Sequence, residues 1–164
     1  MKCFLQMNHS NYQLALFAIA TILLREYITV PNLSSFGTLA ILCAGNKWWI
    51  FYLTLLFSDV FTGLYDFKLM LLVYLSYTGY MVTKNPIAGS FIFFILSNFA
   101  VYLTSNYYQS PVEAIAAGLP FYKYTLIGDV IFYLLYIIGT QLVSDYQKTR
   151  LLEEKCDTGD NNLY

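Results

Sequence analysis

Charge is what this 164-residue sequence has least of: Asp, Glu, Lys and Arg make up 12% of it, about half the roughly 25% usual in globular domains. Histidine and cysteine are also scarce, at one and three residues. The cysteines, Cys3, Cys43 and Cys156, are odd in number and far apart, so no disulfide framework is implied and the thiols read as inert. No His/Cys cluster has metal-ligand spacing, and neither a metal site nor a cofactor is expected. No glycine-rich G-x-x-x-x-G-K-[ST] loop is present, which excludes ATP hydrolysis through that motif. A net charge of −1 without a basic cluster excludes a nucleic-acid interface.

What the chain has instead is apolar and aromatic surface. Hydrophobic residues reach 58%, aromatics 19%, and the mean hydropathy is +0.54. A soluble domain of this size has too little interior to hide so much apolar area. A disordered chain needs the opposite composition. The partner implied is a lipid bilayer.

Apolar stretches are separated by short polar breaks, and the pattern predicts an all-α, polytopic transmembrane bundle. The stretches cover about residues 12–28, 33–45, 48–64, 69–83, 87–104 and 125–144. A spanning helix needs about 20 residues, with about 17 as the short limit. The second stretch is therefore expected to be short or broken, and five spans plus a re-entrant piece is the alternative to six. Residues 1–146 form one helical domain in this reading. Residues 147–164, with Glu153, Glu154, Asp157 and Asp160, form a polar, disordered cytoplasmic tail.

Six alternating spans place Lys2, Lys47, Lys84, Lys148, Arg150 and Lys155 on one side, and Arg25, Lys68 and Lys123 on the other. The basic side is the cytoplasmic one, which puts both termini inside. Between the fifth and last spans, Ser110-Pro111-Val112-Glu113 has the form of a capping box with proline at the first helical position. A short helix is expected there, ended by Pro120, either as a lid over a pocket or as a plain connection.

Polar residues inside spans are costly and are functional candidates by default. At a rise of about 1.5 Å per residue, Asp59 and Asn98 lie roughly 16 Å from the inner ends of their spans, and Asp129 within about 6 Å of its outer end. Arg25 and Asn32 flank the outer turn between the first two stretches. Arg25, Asn32, Asp59, Asn98 and Asp129 are thus expected to gather in an outward-facing pocket. Tyr107, Tyr108 and Tyr122 are placed to stack on a planar ligand. Arg25 and Lys123 would serve an anionic group; Asp59 and Asp129 would serve a cation or amine. The alternative is that the two aspartates only neutralise Arg25 and Lys123 while Asn98 bonds between helices. Ala40-x-x-x-Ala44 permits close helix approach, for internal packing or for a partner.

Several segments taken together resemble one group of proteins. They are Pro31-Asn32 with Ser35-Phe36-Gly37, Ser58-Asp59 with Gly63, Phe93-Phe94 with Ser97-Asn98-Phe99, Pro120-Phe121-Tyr122, and Leu126 with Gly128-Asp129. They look like a family of small bacterial integral membrane proteins that is similar to the substrate-binding S components of energy-coupling-factor (ECF) vitamin transporters. The resemblance implies six helices, cytoplasmic termini and an outward pocket for a vitamin or metal ion, in the bacterial cytoplasmic (inner) membrane. It also implies a transmembrane coupling subunit and ATPases as partners. Such S components often carry an Ala-x-x-x-Ala docking motif in the first helix, whereas here it lies in the second stretch. The function expected is a substrate-capturing transport subunit with no catalytic residues, hence not an enzyme. A structural or assembly protein is the second reading, and an intramembrane protease with Asp59 and Asp129 as an aspartyl pair the third.

Overall fold

The computed structural model describes residues 2–27, 33–63 and 66–159, with side chains for 12–25, 27, 33–63 and 66–150. In chain order the helices are α1 (Lys2–Tyr27), α2 (Phe36–Leu42), α3 (Trp48–Thr62), α4 (Phe67–Ser76), α5 (Thr78–Thr83), α6 (Pro86–Thr104) and α7 (Pro111–Gly159). The described residues contain no strand, so the all-helical expectation holds.

Local chemistry sets several of the boundaries. Asp66 caps α4 by accepting from the amides of Lys68 and Leu69, and Asn85 caps α6 by accepting from Ile87 and Ala88. Pro86 follows Asn85 at the first helical position, where its missing N–H removes nothing. At α7 the amide of Glu113 donates to Ser110 Oγ at 3.2 Å. The Glu113 carboxylate returns to the amide of Gln109 rather than to that of Ser110.

Three features depart from the sequence expectation. The fourth stretch is interrupted at Tyr77, giving α4 and α5 in place of one span over 69–83. Pro120 does not end a short helix: α7 runs through it. A proline loses its bond to the carbonyl four residues back and its ring presses on that carbonyl. Here that carbonyl belongs to Ala116, and the helix continues past it. The connection 105–124 thereby shrinks to residues 105–110. The tail expected to be disordered from 147 is likewise helical as far as Gly159.

Two helices are long and apolar enough to cross a membrane, α6 over Pro86–Thr104 and α7 over Pro111–Arg150. The apolar parts of α1 (Tyr12–Arg25) and α3 (Trp48–Thr62) are shorter. Only 22% of the apolar window of α6 and 11% of that of α7 are buried against protein. The core helix of a soluble domain would be mostly covered.

The centre of the molecule is α2. Its Phe36–Ala40 segment is fully buried, and the helix touches α1, α3, α5, α6 and α7. Phe36, Leu39, Ala40 and Cys43 pack with Leu14 and Ala18 of α1, Phe51 and Leu55 of α3, and Tyr77 and Tyr80. The half-buried short helix expected at this position is therefore the core element. Ala40 faces that core, so its small side chain serves internal packing. Around it α6 lies along α7 and against α4 and α5, while α1 lies on α3.

Candidate functional site

The polar residues of the bundle fall into three groups. The first joins α1, α3 and α4. Arg25 Nη1 lies 2.6 Å from Asp59 Oδ1 and donates to Ser58 Oγ at 3.0 Å. Tyr74 OH donates to Asp59 Oδ2 at 2.6 Å, so both oxygens of a fully buried carboxylate are engaged. The guanidinium also stands 5.6 Å from the ring centre of Phe36, a cation–π contact.

The second group surrounds Asp129, which is 2% exposed. Tyr80 OH and Ser90 Oγ both donate to its Oδ2 in short hydrogen bonds. Thr38 Oγ1 donates to its backbone carbonyl at 3.4 Å. Gly37 and Gly89 make this arrangement possible. A Cβ on Gly37 would collide with the Asp129 carboxylate and the Tyr80 ring, and one on Gly89 would collide with the same ring. The phenol is thus seated between two backbones that carry no side chain. Beside it lies a small cavity of about 40 Å³, bounded by Ser34, Gly37, Tyr77, Phe93, Thr125 and Asp129, among others.

The third group is a larger cavity of about 240 Å³ between α4, α6 and α7. Leu69, Val73, Phe93 and Phe94 supply its apolar wall, and Ser97, Asn98, Tyr122 and Thr125 its polar groups. Asn98 donates to the Phe94 carbonyl of its own helix at 2.8 Å. Its amide fills the space where a side chain on Gly118 would go, so α6 and α7 approach closely there. Tyr122 is held by Phe94, the ring centres lying 4.6 Å apart. Phe93 and Thr125 belong to the walls of both cavities, which therefore adjoin.

The expected gathering of Arg25, Asn32, Asp59, Asn98 and Asp129 is realised in part. Asn98, Tyr122 and Asp129 come together at the adjoining cavities. Arg25 and Asp59 pair with each other and line neither. Lys123 is exposed, its Nζ 4.9 Å from the Tyr124 ring. Tyr107 is 87% exposed and Tyr108 half-buried, both in the 105–110 connection. Asn32 lies outside the described residues. The depth of Asp129 also changes: with α7 starting at Pro111, it lies about 27 Å along the helix. Its partner Ser90 is near the start of α6, so Asp129 sits towards the Lys84–Asn85 end of the bundle. Asn98 is about 12 Å further along α6.

Sequence reading missed Thr38, Tyr74, Tyr80, Ser90 and Thr125. A signal existed for the last: Gly118, Tyr122, Thr125 and Asp129 recur every three or four residues and so share one face of α7. Among the described residues no three His, Cys, Asp or Glu side chains group as metal ligands.

A family model described as a family of unknown function (DUF6580) matches residues 5–152, and the chain belongs to that family. No curated protein matches the chain, and no solved structure does.

Proposed function

We propose, with membership of DUF6580 as the premise, that the protein is a substrate-capturing subunit of a membrane transport system, binding a small molecule inside its helix bundle. One observation carries this reading. The bundle keeps a cavity of about 240 Å³ with a few convergent polar groups, and a buried carboxylate lines the smaller cavity that shares Phe93 and Thr125 with it. Concave, mostly apolar sites with a few fixed polar groups are what small-molecule recognition uses.

The bilayer setting rests on the two long apolar helices and on how little of their surface protein covers. In this proposal the chain crosses the membrane six times, with α2 as the broken second passage and α4–α5 as an interrupted fourth. The distribution of Lys and Arg places both termini in the cytoplasm of a bacterial cell. The ECF S-component likeness read from the sequence supplies the rest: the captured molecule is passed on through a coupling subunit driven by ATPases.

The second reading, a structural or assembly protein, has its own observation in the Arg25–Asp59–Tyr74 group, which ties α1, α3 and α4 together. The aspartyl-pair reading finds less support. Such a dyad shares one site and one proton, whereas Asp59 and Asp129 have different partners.

Purification from the native membrane tests the transport reading. Recovery of two ATPases and a transmembrane coupling subunit with the chain is the outcome expected. In parallel, a panel of vitamins is screened for a rise in melting temperature, since a ligand bound only by the native state stabilises it. The chain recovered alone, with no molecule raising its melting temperature, transfers the case to the structural reading.

A further inference from the structure

We infer that the molecule taken up is an organic cation: a protonated amine on a compact, partly aromatic body, with its ammonium against Oδ1 of Asp129. This rests on the capture reading above and narrows it to one charge class.

The charges near the cavities leave little choice. The Arg25 guanidinium is occupied by Asp59 and Ser58. Lys123 is exposed and turned to Tyr124. Among the described residues no cationic side chain lines either cavity, while one carboxylate does. An anionic ligand would meet Asp129 with nothing to offset the repulsion.

The carboxylate is also unevenly used. Both hydroxyl donors, Tyr80 and Ser90, go to Oδ2. No described group donates to Oδ1, which lies over the bare α-carbon of Gly37. The described residues hold no sealed side-chain oxygen without a partner, so Oδ1 is reached from the small cavity that Asp129 borders. At about 40 Å³ that cavity exceeds the roughly 10–15 Å³ that a single water molecule needs, so it has room for an ammonium group. The rings of Tyr77 and Phe93 border the same space, and aromatic faces next to a carboxylate suit an ammonium.

The neighbouring cavity suits the remainder of such a molecule. It shares Phe93 and Thr125 with the smaller cavity and has a wall made by Phe94 and Tyr122, which a flat apolar body can stack on. Asn98, its amide N–H given to Phe94, and Ser97 add polar groups to the same wall.

Full-length protein in detergent or nanodiscs is titrated with three probes of one shape: phenethylamine, phenethyl alcohol and hydrocinnamate. Thermal shift and calorimetric titration are read. Expected is a saturating rise in melting temperature with the amine, binding at least about tenfold weaker for the alcohol because it lacks the charge-assisted bond, and no binding of the carboxylate. Asp129→Asn removes the preference for amine over alcohol, while Arg25→Gln keeps it. If Asp129→Asn does not fold, the wild-type ratio of amine to alcohol affinity decides alone. Alcohol or carboxylate binding as tightly as the amine overturns the cation assignment, and so does a preference that survives Asp129→Asn. If no probe binds but a vitamin from the wider panel does, the cation assignment falls and the capture reading stands. If neither binds, both fall.

Discussion

Arg25 and Asp59 form the one ion pair among the described side chains, at 2.6 Å, and they are buried to different degrees. The Asp59 side chain is 1% exposed and that of Arg25 30%. Removing one partner of a buried pair leaves the other charge stranded, at a cost of about 3–5 kcal/mol. Arg25→Gln strands the buried carboxylate, with Tyr74 still donating to it, and is expected at the low end, about 3 kcal/mol. Asp59→Asn leaves the more exposed partner unpaired and should cost only about 1 kcal/mol. Melting curves of both variants and the double mutant check this. A double mutant as stable as Asp59→Asn alone supports the pair, and equal losses from the two single changes contradict the geometry.

Asn98 and Gly118 set the spacing of α6 and α7. Gly118→Ala puts a methyl into the Asn98 amide and should destabilise by about 1–3 kcal/mol, as overpacking does. Adding Asn98→Ala relieves the clash, so the double mutant should recover part of the loss. A Gly118→Ala protein that melts with the wild type would show that the helices are further apart.

Tyr80 provides one of two hydroxyls to Asp129, and its ring centre lies 5.9 Å from those of both Tyr77 and Phe93. Tyr80→Phe keeps the ring and removes the donor, with an expected loss of about 1–3 kcal/mol. Ser90→Ala should cost a similar amount. Denaturant or thermal unfolding of the two variants measures both, and no loss in either would mean that the carboxylate bonds elsewhere.

Lys84 closes α5 with a φ of 50°, the only positive φ outside glycine among the described residues. It is exposed, so its side chain has little packing to lose. Lys84→Gly should raise stability by about 0.5–1 kcal/mol through relief of the left-handed conformation. A lower melting temperature would point to a role for the side chain.

The turn at Lys84–Asn85 and the connection at 105–110 lie at opposite ends of α6, a helix about 28 Å long. Cysteines placed at Lys84 and Tyr107 should be labelled from opposite faces of the membrane, Lys84 from the cytoplasm. Both reacting from one side would overturn the six-passage path.

Helix class, the short second stretch, the fifth stretch from about 87 and the start at Ser110 were legible because capping and hydropathy act locally. Asn98, Tyr122 and Asp129 stood out because polar groups in an apolar run are costly. Their separation from Arg25 and Asp59 was not legible. Depth was reckoned from a span beginning at residue 125, and the continuation of α7 through Pro120 moved that origin. Tyr80 and Ser90 were hidden for another reason. Tyrosine and serine are ordinary at span ends, and only the packing of Gly37 and Gly89 shows where their hydroxyls point.

The helices are of very unequal length. The fifteen residues of α3 reach about 22 Å, while Pro111–Arg150 of α7 reaches about 60 Å. A hydrocarbon layer of about 30 Å is too thick for the first, while the second runs past it on both sides and carries Glu113, Lys123, Asp145, Lys148 and Arg150 towards its two ends. In a bilayer the perimeter of the protein therefore has no constant height. Lipid has to thin along the α3 flank, while the charged ends of α7 stand at headgroup level or beyond. Such a mismatch makes membrane thickness a variable to which this molecule responds.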